Sequence, residues 1–83
     1  MNKKSFLQKI IRNPQNVRFV KFTQIVEAFG FKLDRINASH HIYQHPGVRE
    51  LVNLQKVGGQ TKPYQIRQFL KIVEKYNLKM EDD

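Results

Sequence analysis

The chain has 83 residues and no cysteine, which allows one domain with a modest core and excludes disulfides, thiolate zinc sites and cysteine nucleophiles. Its formal net charge is +8, and three of its seven acidic residues stand at the C-terminus, so the rest of the chain is more basic still. This balance favours binding to a polyanion, although a basic surface can also serve solubility alone.

The first predicted element is a short helix that ends at the segment 13–16, Asn-Pro-Gln-Asn. Four apolar residues share one of its faces: Phe6, Leu7, Ile10 and Ile11. Lys9 and Arg12 interrupt this apolar stretch, and no apolar run of the chain is long enough to cross a bilayer. We therefore expect a cytoplasmic protein that has no membrane segment.

A second helix is predicted from apolar residues at helical spacing: Phe19, Phe22, Ile25, Val26 and Phe29. It stops at Gly30, because glycine suits the left-handed position that follows a helix. We interpret the phenylalanines as core, since a nucleic-acid stacking platform would place aromatic rings on an otherwise polar strand face.

From Phe31 the apolar period changes to two, and the segments 31–36, 39–44 and 48–54 each fit a strand. Pro46-Gly47 turns the second strand into the third, which predicts a three-stranded antiparallel meander. The segment 58–61, Gly-Gly-Gln-Thr, breaks the meander. The pattern leaves open which face of the sheet carries His40, because Ile42 and Tyr43 point to opposite sides.

Pro63 is placed for the first turn of a last helix. Its inward residues are Ile66, Phe69, Leu70, Val73 and Tyr76. Its opposite face carries Arg67, Lys71 and Lys75, either as a solvated surface or as a track for an RNA backbone. The loop 58–63 could hold a phosphate with Lys62 at the helix N-terminus, or it could be a flexible connector.

The fold class is therefore α+β, with helices on one face of the sheet and a short extra N-terminal helix. The order αβββα resembles the double-stranded-RNA-binding fold. We predict a single domain over 1–83, which divides into an N-terminal helical extension at 1–16, an αβββα body at 17–78 and an acidic tail at 79–83.

Several short motifs then follow one another in a recognisable order. They are Val17-Arg18-Phe19, Phe29-Gly30-Phe31 with Arg35, Ser39-His40-His41-Ile42-Tyr43-Gln44-His45-Pro46, Asn53-Leu54-Gln55, and Lys62-Pro63-Tyr64-Gln65-Ile66-Arg67-Gln68. Together they resemble the HicA family of bacterial and archaeal toxins over roughly Val17 to Leu78. The resemblance implies a double-stranded-RNA-binding-like fold, cleavage of mRNA, and a cognate HicB antitoxin that neutralises the toxin.

The resemblance also implies that His40 is catalytic, because the family's catalytic histidine follows Gly-Ser. This chain has Ala38-Ser39-His40 instead. Glycine reaches positive φ and allows close approach to a ligand, whereas alanine resists both. We expect this departure to lower the rate rather than to change the fold.

The chemistry of His40 can also be argued from the residues alone. Imidazole exchanges protons near neutral pH, and RNA supplies its own nucleophile in the 2′-hydroxyl, so a ribonuclease needs a proton acceptor and donor and a stabiliser of phosphoryl charge. We assign proton transfer to His40 and phosphate contact to Arg35 and Lys62. The alternative is that His40 is a half-buried strand residue bonded to backbone.

The remaining candidates for RNA contact are Ser39, His41, Arg67 and Lys71. His41 and His45 share a strand face with Tyr43, and without cysteine or a nearby carboxylate they make a poor zinc set. They are surface polar groups or contacts that stack on RNA bases. We predict no metal site and no small-molecule cofactor.

The function predicted from the sequence is a metal-independent endoribonuclease toxin that acts on mRNA and is paired with a HicB-like antitoxin. Two alternatives remain open at this point. One is an RNA-binding module of the same fold that has lost turnover, and the other is a protein-interaction module whose positive surface serves an acidic partner.

Overall fold

A computed structural model describes residues 2–81 as three helices and five strands. In chain order the elements are α1 (Lys3–Arg12), β1 (Val17–Arg18), α2 (Phe19–Ala28), β2 (Lys32–Asn37), β3 (His40–His45), β4 (Val48–Val57), β5 (Gln60–Thr61) and α3 (Pro63–Lys75). The predicted α+β class is correct, and the order α2, β2, β3, β4, α3 contains the predicted αβββα sequence of elements.

The sheet has five strands in the order β1-β5-β4-β3-β2, so the predicted three-stranded sheet is wrong. β4 continues to Val57, and the segment predicted to end the meander is a Gly58-Gly59 turn that leads into β5. β5 then pairs antiparallel with both β4 and β1. These two added strands have only two residues each, which is too short for an alternating pattern to show in the sequence.

The boundaries of α2 and α3 follow the predicted chemistry. Gly30 has φ +96°, and its N–H donates to the carbonyl of Glu27 at the end of α2. Pro63 occupies the first turn of α3, where the missing N–H of proline costs no hydrogen bond within the helix. The apolar faces that these helices present inward include Phe22, Val26 and Phe69, all of which are fully buried.

One core joins the helices to the inner face of the sheet. Tyr43, Val52 and Leu54 supply the strand side of this core. α1 belongs to it as well, because Ile10 is only 1% exposed. Within the predicted extension at 1–16, α1 is therefore packed on the body of the protein, and residue 1 lies outside the described residues.

The C-terminal segment also contacts the core. Leu78 and Met80 pack against it, and the N–H of Glu81 donates to the carbonyl of Ala28 at 2.8 Å. Residues 82 and 83 of the predicted acidic tail lie outside the described residues.

The other face of the sheet is open. On β4 the exposed residues Arg49, Leu51 and Asn53 alternate with the buried ones. Cross-strand partners share a face, so Ile42, which pairs with Asn53, also lies on the open side. The question that the sequence left undecided is thereby answered: Tyr43 faces the core, and His40 faces outward.

Candidate active site

His40 is the first residue after a tight hairpin turn. Asn37 pairs with His40, so Ala38 and Ser39 are the two residues of the loop. Ala38 has φ +57°, which lies in the backbone region that tight two-residue hairpin turns reserve for glycine, asparagine or aspartate. Such a turn normally takes glycine at this position, and a left-handed alanine costs roughly 1–2 kcal/mol.

β4 holds the turn from the side. The N–H of Lys56 donates to the carbonyl of Ser39 at 3.1 Å, and the side-chain amide of Gln55 donates to the Ser39 hydroxyl at 3.3 Å. The strained alanine is therefore followed by a residue with two fixed contacts. This arrangement sets where His40 enters β3.

The ring of His40 is fixed by an amide on the neighbouring strand. Nδ1 of His40 lies 3.0 Å from Oδ1 of Asn53 on the open face. A carbonyl oxygen only accepts, so Nδ1 carries the proton in this hydrogen bond. In the neutral ring the free lone pair is then on Nε2, which makes that atom the one able to accept a proton.

α3 is tied to the same end of β4. The backbone N–H of Gln55, the residue that pairs with His40, donates to Oε1 of Gln65 at 3.1 Å. Gln65 is only 6% exposed. β5 pairs with β4 only at Lys56 and Val57, so the Gln65 side chain supplies the acceptor that the Gln55 N–H lacks from β5. The first turn of α3 therefore lies next to the strand that carries Gln55.

Sequence reasoning missed Asn53, Gln55 and Gln65 as functional candidates. Each acts through a contact that depends on strand register or on the docking of α3. The available signal was the alternation of β4, which sets Asn53 and Gln55 among apolar residues that face the other way.

Lys62, a predicted phosphate contact, is the N-cap residue of α3, and no side chain caps that helix end. Because Gln65 is bonded to Gln55, Lys62 and the positive end of the α3 dipole lie at the His40 end of β4. Lys62 directly follows β5, and β4 lies between β5 and the strand that carries His40.

Arg35 also lies on the open face, because it pairs across the sheet with Ile42. Its guanidinium forms an ion pair with Asp34, and a β-bulge interrupts the β2–β3 pairing between Leu33 and Arg35. The Asp34 carboxylate therefore already engages part of the Arg35 guanidinium, which we predicted to contact phosphate.

His41 and His45 face the core side and do not share a surface with His40. The ring of His41 packs edge-on against Phe19, with 4.8 Å between ring centroids, and its Nδ1 is buried without a hydrogen-bond partner. The ring of His45 packs against Phe31 at 5.0 Å, and its Nδ1 accepts from the N–H of Gly47. Both imidazoles act as aromatic packing residues here.

Arg67 and Lys71 lie apart from His40. They border a groove between α1 and α3 on the helical side of the molecule, together with Leu7 and Leu70. The structure therefore does not bring these two predicted RNA contacts to the open face.

Lys75, which the sequence placed on the same helix face as Arg67 and Lys71, forms an ion pair with Glu50. Its Nζ donates to Glu50 on β4 at 2.8 Å, and the Tyr76 hydroxyl donates to the other oxygen of Glu50 at 2.6 Å. These two hydrogen bonds, that of Lys75 first, lower the pKa of Glu50 to about 2. The same contact raises the pKa of Lys75.

Among residues 2–81, no group of three or more histidine, cysteine, aspartate or glutamate side chains is arranged to hold a metal ion. In the same part of the chain, no helix has the length and apolar character that crossing a membrane requires.

Comparison with known proteins identifies the family. A model described as HicA toxin of bacterial toxin–antitoxin systems matches residues 20–74, which is more than half of the chain and includes the His40 turn, β4 and most of α3. The chain belongs to the HicA toxin family. The family predicted from the motifs is thereby confirmed, and membership implies a cognate antitoxin. No curated protein and no solved structure matches the chain significantly.

Proposed function

We propose that this HicA-family chain is an endoribonuclease that cleaves mRNA without a metal ion, with His40 as its proton-transfer residue. One observation carries the proposal: on the open sheet face, the Asn53 amide holds Nδ1 of His40 and leaves Nε2 as the basic atom. A histidine with a purely structural role would pack its ring on the core side of the sheet, as His41 and His45 do.

The reaction uses the 2′-hydroxyl of the substrate as nucleophile. Nε2 of His40 accepts the hydroxyl proton while the 2′-oxygen forms a bond to phosphorus, and the bond from phosphorus to the 5′-oxygen breaks. The imidazolium returns the proton to the departing 5′-oxygen. The products are a 2′,3′-cyclic phosphate and a 5′-hydroxyl, and the ring ends in its starting protonation state. Such acid–base help contributes roughly 10²–10⁴-fold to the rate.

Cationic groups at the same end of β4 can stabilise the charge that develops on the phosphoryl oxygens. Lys62 offers an ammonium group, and the N-terminus of α3, which no side chain caps, offers the positive end of the helix dipole. The Ser39 hydroxyl, held by Gln55, adds a polar group beside His40. Arg35 contributes to the field of the open face, weakened by its ion pair with Asp34.

A second candidate function is favoured by Ala38. The left-handed turn residue carries a methyl group at the position where the family has glycine, and it stands two residues before the catalytic candidate. A methyl group that blocks the approach of the scissile phosphate would leave an RNA-binding module without turnover.

Incubation of the purified chain with a defined mRNA separates the two functions. The endoribonuclease cleaves in the presence of EDTA, leaves 2′,3′-cyclic phosphate ends, and fails on a substrate with a 2′-O-methyl group at the scissile nucleotide. Binding of that methylated RNA without cleavage of the natural one would identify the non-catalytic module. Activity that is lost with chelator and restored by a divalent ion would contradict the metal-independent mechanism.

A further inference from the structure

A basic cleft lies where α1, β1 and α2 meet. Its volume is about 370 Å³, and its lining includes Phe6, Lys9, Asn13, Arg18 and Lys21. No acidic residue of the described chain lines it. Within residues 2–81, Lys9, Arg18 and Lys21 form no ion pair with an acid. The cleft therefore concentrates positive charge without an internal counterion.

The start of α2 adds to this field. Arg18 is the N-cap residue, no side chain caps the helix, and its first turn contains no acid. The N–H of Phe19 donates to the carbonyl of Gly59 at 2.9 Å, and no side chain or acid of the first turn offsets the rest of the positive helix end. An anion in the cleft would meet this helix end as well as three basic side chains.

The cleft also has features that suit the rest of a nucleotide. Phe6 is half-buried against the core and presents an aromatic wall, on which a base of any identity can stack. Asn13 is positioned by the loop it belongs to, because its Oδ1 accepts from the N–H of Gln15 at 3.2 Å. Cations, an aromatic ring and a side-chain amide together are the groups that single-stranded RNA sites combine.

The cleft lies within reach of an RNA strand bound at His40. Arg18 pairs with Gln60, and Gln60 pairs with Val57, so all three lie on the same sheet face as Gln55 and His40. β1 is three strand spacings from β3, or about 14 Å. A few extended nucleotides span that distance.

We propose that the basic cleft binds a nucleotide of the RNA substrate away from the scissile bond, with its phosphate on Lys9, Arg18 and Lys21 and its base against Phe6. The inference rests on the proposed function in taking RNA as the substrate. The family match begins at residue 20, so Phe6, Lys9 and Arg18 precede it, and α1 makes this subsite a feature of the N-terminal extension.

Binding of a labelled, fully 2′-O-methylated octanucleotide to the full chain tests the proposal without requiring cleavage. The Lys9→Gln/Lys21→Gln variant should bind it about tenfold more weakly at low salt and with a shallower salt dependence. A matched pair, Lys32→Gln/Lys79→Gln, removes the same charge from exposed positions outside the cleft and should bind nearly as wild type does. A methylated dinucleotide, too short to span from His40 to the cleft, should lose less affinity than the octanucleotide when the cleft lysines are replaced.

Equal weakening by the two charge-matched variants would overturn the proposal, because it would show that the cleft lysines contribute only through the net charge of the protein.

The stacking role of the Phe6 ring is tested by Phe6→Leu, which keeps an apolar side chain at a core-facing position. This variant should weaken binding of the base-bearing octanucleotide and leave an abasic one unchanged. A parallel loss with both ligands would contradict a base contact.

Adenosine monophosphate distinguishes a strand subsite from a free-nucleotide site. It should compete far more weakly than the octanucleotide, and equal competition would overturn the assignment to the RNA strand. Failure of the wild-type chain to bind or cleave any RNA would count against the proposed function. Wild-type binding and cleavage that are unaffected in the cleft variant would count against this inference alone.

Discussion

The imidazole of His40 and the amide of Asn53 face each other across β3 and β4, with Nδ1 and Oδ1 3.0 Å apart on the open side of the sheet. Asn53 is paired in register with Ile42, two residues beyond His40, so the contact is a diagonal one. An amide in this position selects the ring tautomer without adding a charge. In the proposed reaction, this amide takes the orienting role that a carboxylate has in a catalytic triad.

Replacing Asn53 should therefore change catalysis more than folding. In Asn53→Ala the ring loses its orienting partner, and we expect cleavage to slow by about ten- to a hundredfold, since misplacement of a catalytic group by about 1 Å can have this effect. Single-turnover kinetics at saturating protein measure the loss. Gln24→Ala, an exposed amide on α2, is the matched control and should cleave as wild type does.

Asn53→Asp separates orientation from simple structural support. A carboxylate beside Nδ1 favours the imidazolium, which cannot accept the 2′-hydroxyl proton, so the acidic limb of the pH–rate profile should move to higher pH. An unchanged pH–rate profile in Asn53→Asp, together with unimpaired cleavage in Asn53→Ala, would show that Asn53 does not act on His40.

The sequence predicted the elements that carry long periodic patterns. α2 and α3 have apolar residues at helical spacing, with Gly30 and Pro63 at their ends, and three of the strands alternate over six residues or more. β1 and β5 could not be predicted in the same way, because two residues carry no period and their pairing joins positions far apart in the chain.

The candidate site was only partly predictable. His40 stood out by its context, but the face it occupies depends on packing: the rings of His41 and His45 complete the aromatic core beside Phe19 and Phe31. Neighbouring Ile42 and Tyr43 gave opposite indications, so the sequence alone could not choose. The role of Asn53 depends on the register of β3 against β4, which no local pattern specifies.

Ala38→Gly should stabilise the protein. Ala38 holds φ +57° in the hairpin turn, and glycine relieves a strain of about 1 kcal/mol there, less its larger entropy in the unfolded chain. Thermal and denaturant unfolding measure the change. Ala28→Gly, in the last turn of α2, is the opposite control and should destabilise, because glycine weakens a helix by roughly 0.5–1 kcal/mol.

The same variant tests the effect of the turn on turnover. Ala38→Gly should cleave RNA at least as fast as wild type, because it removes a methyl group close to His40 without altering the Asn53 contact. Slower cleavage in a stabilised Ala38→Gly protein would mean that the left-handed alanine contributes to the active geometry.

Stability should depend on acid pH through Glu50. Its pKa is lowered to about 2 by the hydrogen bonds from Lys75 and Tyr76, so its contribution is present above its unfolded pKa near 4.5 and is lost as pH falls towards 2. Denaturant unfolding of wild type and Glu50→Gln across this range should show a difference that shrinks as pH falls. A constant difference would contradict a role for the ionised carboxylate.

The cognate antitoxin should compete with RNA. We expect it to present acidic side chains to this basic chain and to cover the open sheet face around His40, because complementary charge speeds encounter and a buried centre supplies affinity. Titration of the partner into a complex with labelled, non-cleavable RNA should displace the RNA. Simultaneous binding without mutual weakening would contradict direct occlusion.

Cleavage by His40→Ala is the decisive measurement for His40 as the proton-transfer residue. Wild type, His40→Ala and the Gln24→Ala control should give matching circular dichroism spectra and bind 2′-O-methyl RNA with similar affinity. Wild type and Gln24→Ala should convert a natural RNA to fragments with 2′,3′-cyclic phosphate ends, and His40→Ala should lose at least about a hundredfold in single-turnover rate. A folded His40→Ala protein that cleaves as fast as wild type would remove His40 from the reaction.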